Sequence, residues 1–272
     1  MIGFRLVEFG VERLEESGST FIMPSDELGA WQEFEAWCAL GNNPVGSPFN
    51  PGSNPGPRPV FSGPKSLLIV GAGGYGREIF GMSQTARGSG REWVVRGFLN
   101  DIPDALEGFA ELPPIVGGTD HAPGPEEVFI CAIGDVAGRK KVCDRLRDRG
   151  ARFVNLVQPS ASLAASVCLG EGVIIEAFTG VGVNSRIGDF STILSHVSVA
   201  HDVRMGSFVQ VAPFASILGR AVIGDEVQIG SHAVVLPDIT VGAGATVGAG
   251  SVVIQNVPEG ATVFGVPARQ IK

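Results

Sequence analysis

Every sixth residue from Val157 onward is aliphatic or Met: Val157, Leu163, Leu169, Ile175, Val181, Ile187, and so on without a slip to Val247 and Val253. If such residues filled about a third of positions, as ordinary composition allows, an unbroken run of this length would not arise by chance. The fourth position after these stops is also small or apolar, as at Val197, Val203, Val209, Ala215, Ala221, Val227, Ala233 and Ile239. A period of six matches neither a helix at 3.6 nor a strand at two. It fits a coil of three short strands with a corner after each, in which one aliphatic residue per side fills a narrow core. Residues eighteen apart then stack from coil to coil, and the backbone pairs along the stack. Gly188, Gly206, Gly224, Gly230, Gly242 and Gly248 follow the inward aliphatic residue, where a side chain would crowd the turn. The pattern predicts a parallel β-helix over 156–272, with no long loop inserted between coils.

Residues 66–155 carry a different pattern. Strands are expected at 67–70, 93–99 and 127–133, with helices at 77–86 and 139–149 and a Gly-rich turn, Gly71-Ala72-Gly73-Gly74-Tyr75-Gly76, after the first strand. Strands alternating with helices predict a small parallel α/β domain of Rossmann-like type.

The first 65 residues are expected to be a variable tail and linker. Seven prolines and five glycines fall between Gly41 and Pro64, a composition that does not hold regular structure. Ahead of them Leu28, Trp31, Phe34 and Trp37 recur at helical spacing. The tail contains no residue assigned to chemistry and is expected to be dispensable.

A formal charge of -8 over 272 residues argues against nucleic acid or an anionic membrane as partner, since both require clustered Lys and Arg. A small molecule is the expected substrate. Cys38, Cys131, Cys143 and Cys168 include no CxxC pair, so neither a zinc site nor a disulfide framework is suggested, and a reducing cytoplasm is expected. No signal-like leader and no apolar run of spanning length is present.

Two features bear on chemistry. Gly71, Gly73 and Gly76 satisfy G-x-G-x-x-G at a strand-to-helix turn, where free N–H groups and the helix dipole favour a phosphate. Asp101 closes the second strand, where a ribose hydroxyl would bind. The motif does not distinguish NAD from a nucleotide sugar. His201, at an outward corner, is followed by Asp202, and a carboxylate beside an imidazole can fix its tautomer as a general base requires. Gly219, eighteen residues on, should lie one coil further at the same corner, where its N–H could hold a thioester oxygen. His196 and His201 are five apart, a spacing compatible with two metal ligands, but two ligands do not make a catalytic zinc site.

The stretch VAHDVRMGSFVQVAPFASILGRAVIGDEVQIG and the closing GVPAR resemble the hexapeptide acyltransferases that modify nucleotide-linked amino sugars and sialic acid. VGAGGYGREI, GFLND and FICAIGD are similar to the substrate domain of the same group, the bacillosamine and perosamine N-acetyltransferases and sialic acid O-acetyltransferases. The resemblance spans 66–272 and implies a left-handed β-helix, a homotrimer, acetyl-CoA as co-substrate and no metal. It implies that His201 is the base, Asp202 its acidic neighbour, and Gly219 a backbone contact to the acyl group. Ser231 and Ala249 match backbone contacts to the cofactor. Gln210 stands where some members have a histidine touching acetyl-CoA. Gly73, Gly74, Tyr75, Asn100 and Asp101 match the residues that hold the nucleotide. The function so implied is N-acetylation of a nucleotide-linked amino sugar. The alternatives are O-acetylation of a sugar or sialic acid, and a non-catalytic nucleotide-binding module on a trimeric β-helix.

Overall fold

The computed structural model describes residues 3–7, 10–15 and 18–22 as backbone paths, and residues 64–271 in full. Gly3–Val7 (β1), Gly10–Glu15 (β2) and Gly18–Ile22 (β3) form an antiparallel sheet in sequential order. The expected tail did not foresee these strands. The helix expected across Leu28 to Trp37 lies outside the described residues. The chain divides into two compact units, Met1–Ser62 and Gly63–Lys272.

In the second unit, Lys65–Val70 (β4), Trp93–Leu99 (β5), Ile115–Gly117 (β6) and Glu127–Cys131 (β7) form a parallel sheet in the order β6-β5-β4-β7. Helices Gly74–Ser83 (α1) and Val136–Asp148 (α2) cover it. Both helices begin three residues before their expected starts. At α2 the cause is a cap, since the Asp135 carboxylate accepts from the Gly138 N–H at 2.6 Å. At α1 the turn is tighter than a general reading allows. Gly71 has φ +103°, and a Cβ on Gly76 would lie 2.0 Å from the Gly71 carbonyl oxygen. The short strand β6 was not anticipated.

From Leu156 onward the chain winds into two-residue strands paired in parallel at an offset of eighteen, such as Ile174↔Leu156 and Val199↔Ile217. They form sheets of five, six and eight strands, the three walls of the left-handed parallel β-helix. The hexad stops and the residues four after them fill its interior, with Val197, Val203, Val209, Ala215 and Val227 at most 1% exposed. Ile239 is only partly buried against this core. A Cβ on Gly188 would sit 2.5 Å from the Gly206 carbonyl carbon, so the glycine lets one coil lie against the next.

A second corner position escaped the hexad analysis. Every sixth residue from Phe178 to Asp238 has φ between 56° and 64°. None is Gly, although left-handed backbone favours it. Their side chains stack up the three edges. Phe178, His196, Phe214 and His232 form one ladder with ring centroids 4.7–5.0 Å apart. Phe190 and Phe208 stack at 5.0 Å on a second edge. Asn184, Asp202, Arg220 and Asp238 occupy the third.

The two parts of the second unit share their cores, and the boundary expected at 155–156 carries no linker. Leu156 and Ile174 pack with Leu67, Ile79 and Phe98. Phe190 and Phe208 pack with Phe129, Phe153 and Leu146. Arg139 of α2 is buried between them. It donates to the carbonyls of Ile133 (3.1 Å) and Phe208 (3.2 Å) and to Gln210 Oε1 (3.3 Å).

Candidate active site

His201 and Asp202 stand at the corner between the six- and five-stranded sheets. Asp202 takes the left-handed conformation, φ 60°, which turns its carboxylate back to the preceding residue. Its Oδ2 lies 2.7 Å from His201 Nδ1. With the proton on Nδ1 donated to that carboxylate, Nε2 keeps a free lone pair. Both side chains are about half exposed. The imidazole, with the Asn184 amide next in effect, holds the Asp202 carboxyl below the usual carboxylate range. The pair is therefore anionic on the Asp side at neutral pH.

Gly219 lies directly against this imidazole. A Cβ there would fall 2.7 Å from Nε2 and 2.8 Å from Cε1 of His201. The backbone register confirms the stacking, because the Arg220 N–H donates to the His201 carbonyl at 3.0 Å. Among the described residues the Gly219 N–H has no acceptor, so an unpaired donor lies beside the imidazole at this corner, in a residue that is itself buried. His196 stands on a different edge, between the rings of Phe178 and Phe214.

The other candidate residues do not converge on His201 within one chain. Ser231 and Ala249, eighteen apart, share the edge between the eight- and six-stranded sheets. Gln210 lies in the eight-stranded sheet with its amide oxygen bound by Arg139, turned to the α/β part.

In the α/β part, Gly73 and Gly74 are exposed with open space around them at the start of α1, and Gly73 provides no side-chain cap. Asn100 braces this turn. Its Oδ1 accepts from the Ala72 N–H at 3.3 Å and its Nδ2 donates to the Ile102 carbonyl at 2.9 Å. Both oxygens of Asp101 are engaged by Thr119, from its N–H at 2.7 Å and its hydroxyl at 2.8 Å, which holds the carboxyl low. A ribose hydroxyl would have to share that carboxylate. The Tyr75 hydroxyl is buried without a hydrogen-bond partner, and burial pushes it up. Tyr75 packs against the core shared with the β-helix, so its phenol is not free at the turn. Sequence reasoning missed Thr119.

A trihedral β-helix with an imidazole–carboxylate pair set over a corner glycine, fused to an α/β part with an open Gly-rich turn, defines a hexapeptide-repeat acyltransferase with a nucleotide-type domain. The chain belongs to that family. Residues 220–255 match the model for the bacterial transferase hexapeptide (six repeats), and residues 66–146 the PglD N-terminal domain. A variant of perosamine N-acetyltransferase from Caulobacter crescentus, solved with CoA and GDP-perosamine, is 30% identical with a TM-score of 0.69. The match covers 76% of this chain and 97% of that one. The acetyltransferase domain of PglB from Neisseria gonorrhoeae, in complex with acetyl coenzyme A, is 28% identical with a TM-score of 0.69, over 77% of this chain and all of that one. UDP-N-acetylbacillosamine N-acetyltransferase of Bacillus subtilis is 33% identical over 116 residues, 42% of this chain and 52% of its own length. The chain thus spans about half of that curated relative. Among the described residues no helix is long and apolar enough to cross a membrane.

Proposed function

We propose that the protein is an acetyl-CoA-dependent N-acetyltransferase acting on the amino group of a nucleotide-linked amino sugar, with His201 as general base. The observation that carries this reading is the contact of His201 with Asp202 on one side and Gly219 on the other. The relatives solved with CoA and a GDP-linked amino sugar support the substrate classes. The neutral imidazole takes a proton at Nε2 from the attacking amine as its nitrogen bonds to the thioester carbon. The Gly219 N–H donates to the oxyanion, the C–S bond breaks, and the imidazolium returns its proton to the CoA thiolate. Amide and free CoA result, with no acyl-enzyme. The nucleotide is held at the Gly73–Gly74 turn. Acetyl-CoA lies in a groove between two protomers of a homotrimer, which lets Ser231 and Ala249 of one copy serve the His201 edge of another.

The test is release of CoA thiol from acetyl-CoA with GDP-perosamine and with UDP-linked amino sugars as acceptors. A positioned general base contributes roughly 10²–10⁴-fold, so His201→Ala should lose that much kcat while keeping acetyl-CoA affinity. His196→Ala, on the other edge, should be mild. Near-normal turnover by His201→Ala would remove the mechanism.

A further inference from the structure

The corner that carries His201 and Asp202 is held by two consecutive residues of the preceding coil that take no part in the chemistry proposed above. Ser185 points inward and is fully buried. Its hydroxyl donates to the Ala200 carbonyl at 2.7 Å and accepts from the Val203 N–H at 3.2 Å. Those peptide groups flank the pair on either side, so one hydroxyl closes the backbone loop around His201 and Asp202. Asn184 points outward at φ 59°, one coil below Asp202 at φ 60°. Its Nδ2 donates to Asp202 Oδ1 at 3.2 Å, leaving Oδ2 for His201. Asn184 is itself tied down, since its N–H donates to Ser166 Oγ at 2.8 Å.

We propose that Asn184 and Ser185 are positioning residues for the reactive pair, Ser185 fixing the backbone from inside the coil and Asn184 fixing the carboxylate from outside. The proposal rests on the reading of His201 as the base. Neighbouring coils do not duplicate this arrangement. Val203, Ala221 and Ile239 succeed Ser185 inside the same edge and offer no hydroxyl. Outside it, Arg220 is bound to Asp238 by two contacts of 2.7 Å, so it is not the partner that orients Asp202. The charged groups near the imidazole are therefore Asp202 itself, with Arg220 and Asp238 further along the ladder.

The fold supplies a matched control. Ser191, in the same coil as Ser185 and equally buried, donates to the Gly206 carbonyl at 3.0 Å and accepts from the Val209 N–H at 3.1 Å. It makes the same two bonds at an edge without a reactive pair. Ser185→Ala and Ser191→Ala should therefore lose similar stability and differ only in what they do to His201.

The experiment compares Ser185→Ala, Ser185→Thr, Asn184→Ala and Ser191→Ala in the full chain by turnover of GDP-perosamine and by the chemical shift and linewidth of the His201 Hε1 proton resonance, assigned by its absence in His201→Ala. Misplacing a catalytic group by about an ångström can cost up to about 10²-fold. Ser185→Ala and Asn184→Ala should each lose about tenfold in kcat, within that bound, with the KM for acetyl-CoA unchanged. The His201 Hε1 resonance should shift and broaden in both, because the ring loses its fixed hydrogen bond at Nδ1 when the carboxylate is unanchored. Ser185→Thr, which keeps the hydroxyl, should restore both readouts, and Ser191→Ala should leave both at wild-type values. Equal effects of Ser185→Ala and Ser191→Ala, together with an unchanged Hε1 resonance in Asn184→Ala, would overturn the proposal. Asn184 lies on the surface, so its variant keeps the test decisive if Ser185→Ala unfolds. Normal turnover by His201→Ala would sink the parent reading instead, while the Hε1 resonances would still report whether these residues hold the imidazole.

Discussion

At the scale of residues, the site depends on one missing side chain. Gly219 has an ordinary backbone conformation, so Gly219→Ala introduces no strain of φ. Its methyl would fall 2.7 Å from His201 Nε2, and the imidazole must swing away from the acyl donor. We expect kcat to fall roughly 10–100-fold, the cost of misplacing a catalytic group, with a melting temperature close to wild type. A variant that melts normally and turns over normally would show that the imidazole works from elsewhere. The pH profile belongs to the same pair. Asp202 is held below the usual carboxylate range by its bonds to His201 and Asn184, so it stays ionised through neutral pH. Asp202 should therefore add no limb of its own to kcat/KM near neutral pH, and Asp202→Asn should lower kcat by weakening the pair. Stacking of Gly219 on His201 was legible in the sequence because a fixed period of eighteen converts position into contact. The same subtraction from Asp202 and Val203 leads to Asn184 and Ser185. Those were not found because neither residue type signals chemistry alone.

At the scale of elements, the hexad pattern gave the coils because a narrow core admits only small aliphatic residues at fixed positions. It was silent on the left-handed corner residues, since Phe, His, Arg and Glu are poor indicators of positive φ. Their backbone ties them to the coil below, as where the Asp202 N–H donates to the Val183 carbonyl at 2.9 Å and the Glu226 N–H to the Ser207 carbonyl at 2.9 Å, a contact that a local reading does not contain. Nor did the sequence show how closely the α/β part packs on the eight-stranded face. Glu176, partly buried at that junction, shows one consequence. Its Oε2 accepts from the Ser195 N–H at 3.0 Å, yet burial raises its carboxyl above the ordinary range. A carboxyl whose folded pKa exceeds its unfolded one is penalised when ionised. Its contribution is therefore best below the unfolded value and worsens as pH rises to the folded one. Glu176→Gln keeps an acceptor for Ser195 and removes the charge. It should stabilise the fold at neutral pH by about 1 kcal/mol, the scale of an imperfectly paired buried polar group, and the gain should vanish in acid. Melting temperatures of both proteins across pH would measure the difference; a gain that persists at low pH would assign it to packing instead.

At the scale of the whole molecule, the spread of the proposed site residues over different edges argues for assembly. The His201 edge lies open to one side in a single chain, while Ser231 and Ala249 stand on the next edge and Gln210 on the face beyond. Threefold closure would set the His201 edge of one β-helix beside the flank of another and give the pantetheine arm two walls. A closed ring would also offer cover to exposed apolar groups such as Phe178 (65% exposed) and Phe214 (49%). The first compact unit, Met1–Ser62, includes none of the residues proposed for the site. A chain beginning at Lys65 should therefore sediment as a trimer at micromolar concentration, melt as the full chain does, and retain its turnover. A monomer from both proteins would sink the trimer and the groove between protomers with it. A trimer formed only by the full chain would instead give the first 62 residues a role in assembly.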